Sequence, residues 1–218
     1  MGRGRSFDCV DWRLREHHQL KVTSIKEQVK NPNRVSVFVD DKYSFSLTLD
    51  QLLEQKLKKN VEIDEPRLVE LKKLSDEGKL KAKALDWLMV RPHSKKEFRE
   101  YAYRKKIEKD LSESWLQEFE AKKYLDDQKF AQWFAENRMR KNKSGRAIMA
   151  ELASKGVSRE IIQEVIVEQS NDEESLGKLI IKLKRRTRYQ DEKKLIAYLL
   201  SKGFRYEDVK SALNPSVD

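Results

Sequence analysis

The chain has 218 residues, of which 39% are charged and 38% hydrophobic, and a formal net charge of +10. That length allows one or two domains, and an apolar share below the roughly 45–50% of an average domain predicts thin, repeated cores rather than one large globule. The positive balance favours an acidic partner, the single Cys9 rules out an intrachain disulfide and fits a reducing, cytoplasmic setting, and no apolar run approaches the ~20 residues of a membrane span.

The first stretch, MGRGRSFDCVDWRLREHHQ, lacks an apolar signal core and reads as a basic leader over residues 1–19. Gly2 to Ser6 matches a myristoylation pattern only formally. Residues 20–63 then read as a small β-rich module. Val35, Val37 and Val39 alternate with Ser36 and Phe38, and Tyr43, Phe45 and Leu47 alternate with Ser44 and Ser46. Asp40 to Lys42 supplies turn residues between the two runs, which predicts a hairpin. LKVTSIKEQVK supplies a candidate third strand, and Leu52, Leu53 and Leu57 a short helix.

From Asp64 the apolar period becomes helical and stays so. A linking helix is expected over 64–79, with Pro66 in its first turn. Three helical units follow, at 80–125, 126–170 and 171–218, the last including the tail. SGRAIMAELASKGV from Ser144 and DEKKLIAYLLSKGF from Asp191 are copies 47 residues apart. Ser144 and Asp191 can each cap a helix, and Gly156 and Gly203 can each end one in a left-handed residue. SKKEFREYAYRKKI from Ser94 is a weaker copy, without the Gly, and Ser94 with Glu97 has capping-box spacing. Such a period means stacked helical units that supply each other's core. The expected fold is mainly α: tandem three-helix repeats in an elongated array behind a small N-terminal β-rich module.

The second unit opens on Leu125-Asp126-Asp127. With Asp126 as N-cap, Leu125 and Phe130 take hydrophobic-staple positions, Asp127 meets the helix dipole, and Phe130, Trp133 and Phe134 share a core-facing side. A rival reading makes Asp126 and Asp127 metal ligands of a nuclease, which needs further converging ligands. His17, His18 and His93 do not have zinc spacing, and no phosphate-cradling glycine motif is present. The expectation is no catalytic residue, no metal and no cofactor.

Positive charge is concentrated in two acid-free runs: Arg138, Arg140, Lys141, Lys143 and Arg146, then Lys182, Lys184, Arg185, Arg186 and Arg188. Both fall where the first helix of a unit gives way to the second, and Arg138 and Arg185 align at the 47-residue offset. Arg91, Lys95 and Lys96 hold the analogous junction of the first unit. Helix C-termini favour a cation, but five in a row, twice in register, exceeds that need. These residues are the candidate surface for an anionic partner.

YLDDQKFAQWFAENRMRKNKSGRAIMAELASKGVS resembles the central signature of the RecX regulatory proteins of bacteria. The matching positions are Tyr124 to Asp127, Lys129 to Ala131, Arg138, Gly145, Ile148, Glu151-Leu152 and Lys155 to Ser158. ALDWLMVRPHSKKEF is similar to an earlier segment of that family, with Phe98 where Leu is usual. Lys123 stands where the family usually has Gly, the loop Lys-Asn-Lys-Ser-Gly is less Gly-rich, and the β-rich module resembles an extension of some members. The resemblance implies a non-enzymatic monomer that binds the RecA filament on DNA. It would restrain strand exchange, ATP hydrolysis and coprotease activity, and bind single- or double-stranded DNA weakly, with no membrane. The competing reading from residues alone is a generic nucleic-acid-binding repeat protein using the same basic runs on phosphates.

Overall fold

The computed structural model describes residues 19–29, 31–169 and 172–214. The leader's Cys9, His17, His18 and Gly2 motif, and Pro215, lie outside them. The chain divides into two units, residues 1–84 and 85–218.

The first unit is a four-stranded antiparallel sheet carrying helices. Strands β1 (Leu20–Gln28), β2 (Asn31–Val39), β3 (Lys42–Thr48) and β4 (Glu62–Ile63) are ordered β3-β2-β1-β4. The expected hairpin is β2–β3, with Val39 opposite Lys42. Asp40 and Asp41 both have positive φ, 49° and 62°, the signature of the two-residue turn that matches strand twist. Val22, Val37 and Leu47 are fully buried, and Leu57 and Leu71 close the same core. Helix α1 (Leu49–Glu54) begins in a complete capping box between Thr48 and Gln51. The two-residue β4 was beyond any pattern argument, since it has no room for alternation.

Helix α2 (Glu65–Met89) covers both the expected linking helix and the first helix of the first repeat without a break. Asp64 Oδ1 accepts from Arg67 N at 2.9 Å, and Pro66 lies in the first turn, where its missing N–H costs nothing.

The second unit holds the repeats. After the end of α2 come α3 (Lys95–Arg104) and α4 (Lys109–Ala121), then α5 (Asp127–Met139), α6 (Gly145–Ser154) and α7 (Arg159–Gln169), then α8 (Asp172–Lys184), a 3-10 turn at Thr187–Tyr189, α9 (Glu192–Ser201) and α10 (Tyr206–Leu213). The second and third triads each have their own small core, so within these two the apolar residues pack mainly inside the triad rather than against the neighbouring one. One joins Phe130, Phe134, Ile148, Leu152 and Val165. Another joins Leu176, Leu183, Leu195, Leu199 and Val209. Repetition of thin cores is what a low apolar share allows.

The helix ends follow one scheme. Ser94, Ser144 and Asp191 N-cap the second helix of each triad. Gly156 and Gly203 stop the following turn at φ +77° and +96°. The first copy uses Lys106 at φ 56°, and Ile107 N donates to Ala102 O at 3.0 Å just as Val157 N does to Leu152 O at 3.3 Å. Lys123, at the family's usual Gly, likewise takes φ 60°, so the turn before Tyr124 closes in the glycine-type geometry. Only half of the capping box at Ser94 forms. Ser94 Oγ accepts from Glu97 N, but the Glu97 carboxylate is directed to other partners.

Candidate partner-binding surface

The acid pair does two different jobs. Asp126 Oδ1 accepts from Gln128 N at 3.0 Å and Lys129 N at 3.2 Å, so it caps its own helix. Asp127 Oδ1 accepts from Lys95 N at 2.9 Å, so it caps α3 of the preceding repeat. Asp172 repeats this one unit on, accepting from Gly145 N at 2.8 Å. Burial pushes the Asp127 carboxyl above its usual range, against the lowering effect of the Lys95 N–H. Both carboxylates are therefore engaged by backbone donors. Among the described residues no group of three or more His, Cys, Asp or Glu could hold a metal ion.

The basic positions divide by their partners. Arg91 donates to Pro92 O at 2.7 Å and to Glu97 Oε2 at 2.9 Å. Lys95 pairs with Glu120, and Lys96 Nζ donates to Ser154 O at 2.8 Å. Arg138 Nε meets Glu151 Oε2 at 2.6 Å, with Lys143 Nζ 3.5 Å from the other oxygen. Arg140 lies 3.7 Å from Glu136 across one turn, and Arg146 Nε donates to Gly203 O at 3.3 Å. Lys141 is exposed, and its ammonium has no ion pair among the described residues.

The third-repeat run is different. Lys182, Lys184, Arg185 and Arg186 are exposed and have no ion pair among the described residues, and Arg188 lies 5.7 Å from the Tyr189 ring. For Arg185, which matches Arg138 at the 47-residue offset, the reason is one position. Glu151, which neutralises Arg138 and Lys143, corresponds to Tyr198 at the 47-residue offset. Tyr198 packs on Tyr189 with ring centroids 5.1 Å apart and offers no carboxylate. Sequence reasoning grouped the two runs because both lack acids locally. It missed Glu97, Glu151 and Lys155, which lie a helix away, although the Glu151-to-Tyr198 difference was readable once the repeats were aligned.

At the junction of the first two repeats, Glu97 is the hub. Lys155 Nζ reaches its Oε1 at 2.9 Å, and His93 Nδ1 stands 3.1 Å from Oε2. Burial alone would raise the Glu97 carboxyl, but the hydrogen bonds and charges of Arg91 and Lys155 together hold it below its usual range. Burial lowers the His93 imidazole, Arg91 adds to this, and the Glu97 hydrogen bond only partly opposes it. His93 is 3% exposed and lies against Trp87, centroids 3.5 Å apart. Its ring is thus held by packing on Trp87 and by the Glu97 contact.

Residues 20–64 match the regulatory protein RecX N-terminal domain, and residues 126–166 match the RecX second three-helix domain. A "Regulatory protein RecX" of Listeria monocytogenes serotype 4a (strain HCC23) is 32% identical over 200 residues, covering 88% of this chain and 74% of that one. One from Bacillus pumilus (strain SAFR-032) is 30% identical over 204 residues, covering 90% and 78%. The fold is also that of solved structures. A crystal structure of regulatory protein RecX aligns with TM-score 0.69 at 21% identity, over 89% of this chain and 99% of that one. A crystal structure of RecX from Lactobacillus salivarius aligns with TM-score 0.53 at 20% identity, over 64% and 95%. No helix among the described residues is long and apolar enough to cross a membrane. With relatives 32% and 30% identical over most of both sequences, and two of its segments matching the family's own domains, the chain belongs to the RecX family of regulatory proteins.

Proposed function

We propose that this protein binds the RecA recombinase filament on DNA, as a cytoplasmic monomer. Binding restrains strand exchange, ATP hydrolysis and coprotease activity, and so acts in DNA recombination, repair and the SOS response without catalysing a reaction. Family membership supports the partner. The observation that carries the choice of surface is the third-repeat run: Lys182, Lys184, Arg185, Arg186 and Arg188 present cations that no acid among the described residues neutralises. An anionic partner gains most where no internal carboxylate must first be displaced. Lys141 extends the surface on the second repeat, and Arg140 and Arg146 join it through longer contacts of their own, 3.7 Å to Glu136 and 3.3 Å to the Gly203 carbonyl. Arg91, Lys95, Lys96, Arg138 and Lys143 contribute less, because each already has a partner at the repeat junctions.

The test is RecA ATP hydrolysis on single-stranded DNA with and without this protein. A rate that falls with added protein supports the reading, and an unchanged rate at saturating protein overturns it. The same exposed cations favour a second reading, direct phosphate binding without RecA. Salt separates the two. Phosphate contacts release counterions, so a purely phosphate-bound complex weakens steeply as salt rises. Filament binding keeps a protein–protein part that survives.

A further inference from the structure

The loop before α3, helix α5 and the residue that caps the C-terminus of α6 leave a recess of ≈ 300 Å³. Its wall carries Arg91, Arg138, Lys141 and Lys155 against one carboxylate, Glu97. Two aromatic rings, Trp133 and Phe134, complete it. That volume lies at the lower end of the ~300–1,000 Å³ usual for small-molecule sites. It is far more than a lone phosphate or carboxylate fills, and room for one nucleotide.

Each ring has an arginine beside it. The Arg91 guanidinium carbon lies 5.1 Å from the Trp133 centroid, and that of Arg138 lies 4.7 Å from the Phe134 centroid. Arg91 is also fixed by Pro92 O and Glu97, so its planar group is held in place rather than free to swing. A guanidinium backed by indole is a platform for a nucleobase, which stacks on arginine planes as it does on aromatic rings. Arg138 Nε pairs in charge with Glu151 Oε2 at 2.6 Å, and its terminal nitrogens have no hydrogen bond or ion pair among the described residues, so they can take an oxyanion. Lys141 is exposed with no ion pair among the described residues, so its ammonium can take a phosphate without losing an existing bond.

We propose that this recess holds one unpaired nucleotide of a single-stranded nucleic acid, its base stacked on Arg91 and its phosphate bound by Lys141 and Arg138. A duplex keeps its bases inside the stack and cannot fill the recess without unpairing one. A carboxylate side chain from a protein partner would use the cations but neither the platform nor the volume. The proposal is independent of filament binding, and its test contains no other protein.

Anisotropy of a labelled oligothymidylate and of a duplex of the same length, at one fixed salt, gives the comparison. The single strand should bind about tenfold more tightly, within the range that base stacking supplies. Arg91→Lys keeps the charge and loses the plane. It should cost about tenfold on the single strand and under about twofold on the duplex. Ultraviolet cross-linking of a 5-iododeoxyuridine oligonucleotide to the unmodified protein should mark residues 91–97 or 133–141, and this arm stands even if Arg91→Lys does not fold. Cross-links only elsewhere, a duplex bound as tightly as the single strand, or equal losses on both ligands from Arg91→Lys overturn the site. So does polyglutamate displacing the oligonucleotide at equal charge, which makes the recess an acidic-peptide site.

Discussion

At the scale of single residues, the acid pair shows how local and long-range duties can share a motif. Asp126 satisfies two N–H groups of its own helix, while Asp127, one residue on, satisfies the first N–H of a helix 32 positions earlier. The first role follows from spacing and was legible in the sequence. The second needed the fold, because nothing local says that α3 begins beside Asp127. Both are cap-type bonds, so Asp126→Ala and Asp127→Ala should each cost about 1 kcal/mol of stability, within the usual N-cap range. The Asp127 variant should in addition expose Lys95 N to faster hydrogen exchange while leaving α5 intact, and unchanged exchange there removes the inter-repeat role. His93 gives a pH prediction. Its folded-state pKa is depressed, chiefly by burial, so below the ordinary histidine value of about 6.5 the unfolded chain takes up a proton that the folded one does not. Stability is fully present above that pH and falls as pH drops from it through the folded-state pKa. Denaturant midpoints measured against pH should show this decline, and His93→Gln should flatten it relative to the parent. The comparison cancels His17 and His18, which both proteins share. Parallel curves for the two proteins rule out His93 as the source.

At the scale of elements, the left-handed helix stops at Lys106, Lys123, Gly156 and Gly203 separate conformational need from packing need. Lys106 and Lys123 adopt positive φ with exposed side chains. The backbone angle alone does not demand glycine there. Gly156 and Gly203 face a second constraint. A Cβ on Gly156 would come 2.9 Å from Lys96 Cβ, and one on Gly203 would come 2.5 Å from Ala147 Cβ and 2.7 Å from Ser144 Oγ. These are the places where one repeat's helix end presses on the preceding repeat's helix start. Ser94 Oγ donates to Lys155 O at 2.9 Å, and Ser144 N donates to Lys202 O at 3.0 Å. The first copy of the motif has no repeat before it to press on, which is why it can carry Lys106. From sequence, the missing glycine weakened that copy; the structure makes it the expected residue for a first unit. Gly203→Ala should therefore cost about 2–4 kcal/mol, left-handed strain plus overpacking, and Gly156→Ala less, since its single close approach, 2.9 Å to Lys96 Cβ, is longer than the two at Gly203. Lys123→Gly should do the reverse. It relieves roughly 1–2 kcal/mol of left-handed strain against a Gly entropy cost of roughly 0.5–1, a net gain of about 0.5–1 kcal/mol. Thermal melts of the three variants check the order, and equal losses for the two glycines contradict the packing account.

At the scale of the whole molecule, the sequence showed caps and basic runs, because each is a local pattern, and the repeats, because local patterns recur at a fixed 47-residue offset. It did not show which charges were already neutralised, because the neutralising acids sit on neighbouring helices. The excess charge is therefore less evenly spread than the two five-residue runs imply. Glu151 answers Arg138 and Lys143, whereas Tyr198, at the matching place, has no carboxylate to offer Arg185. Charge reversal tests this division. Changing Lys184, Arg185 and Arg186 to Glu should preserve helical content and melting temperature, since these side chains are exposed and have no ion pair among the described residues. It should weaken co-sedimentation with RecA–DNA filaments at least tenfold, about 1.4 kcal/mol. Arg138→Glu alone should lower the melting temperature, because it sets a carboxylate against Glu151 in a site where both side chains are about two-thirds covered. Adding Glu151→Arg should restore much of the loss by reversing the pair. Lys105, Lys106 and Lys109 changed to Glu form the control, lying after α3 and away from the junction runs. If that control weakens filament binding as much as the third-repeat variant at the same salt, bulk charge drives association and the generic nucleic-acid reading displaces the positioned surface. If instead only the third-repeat variant loses binding while keeping its melting temperature, the partner is read by the third-repeat run, which has no ion pair among the described residues.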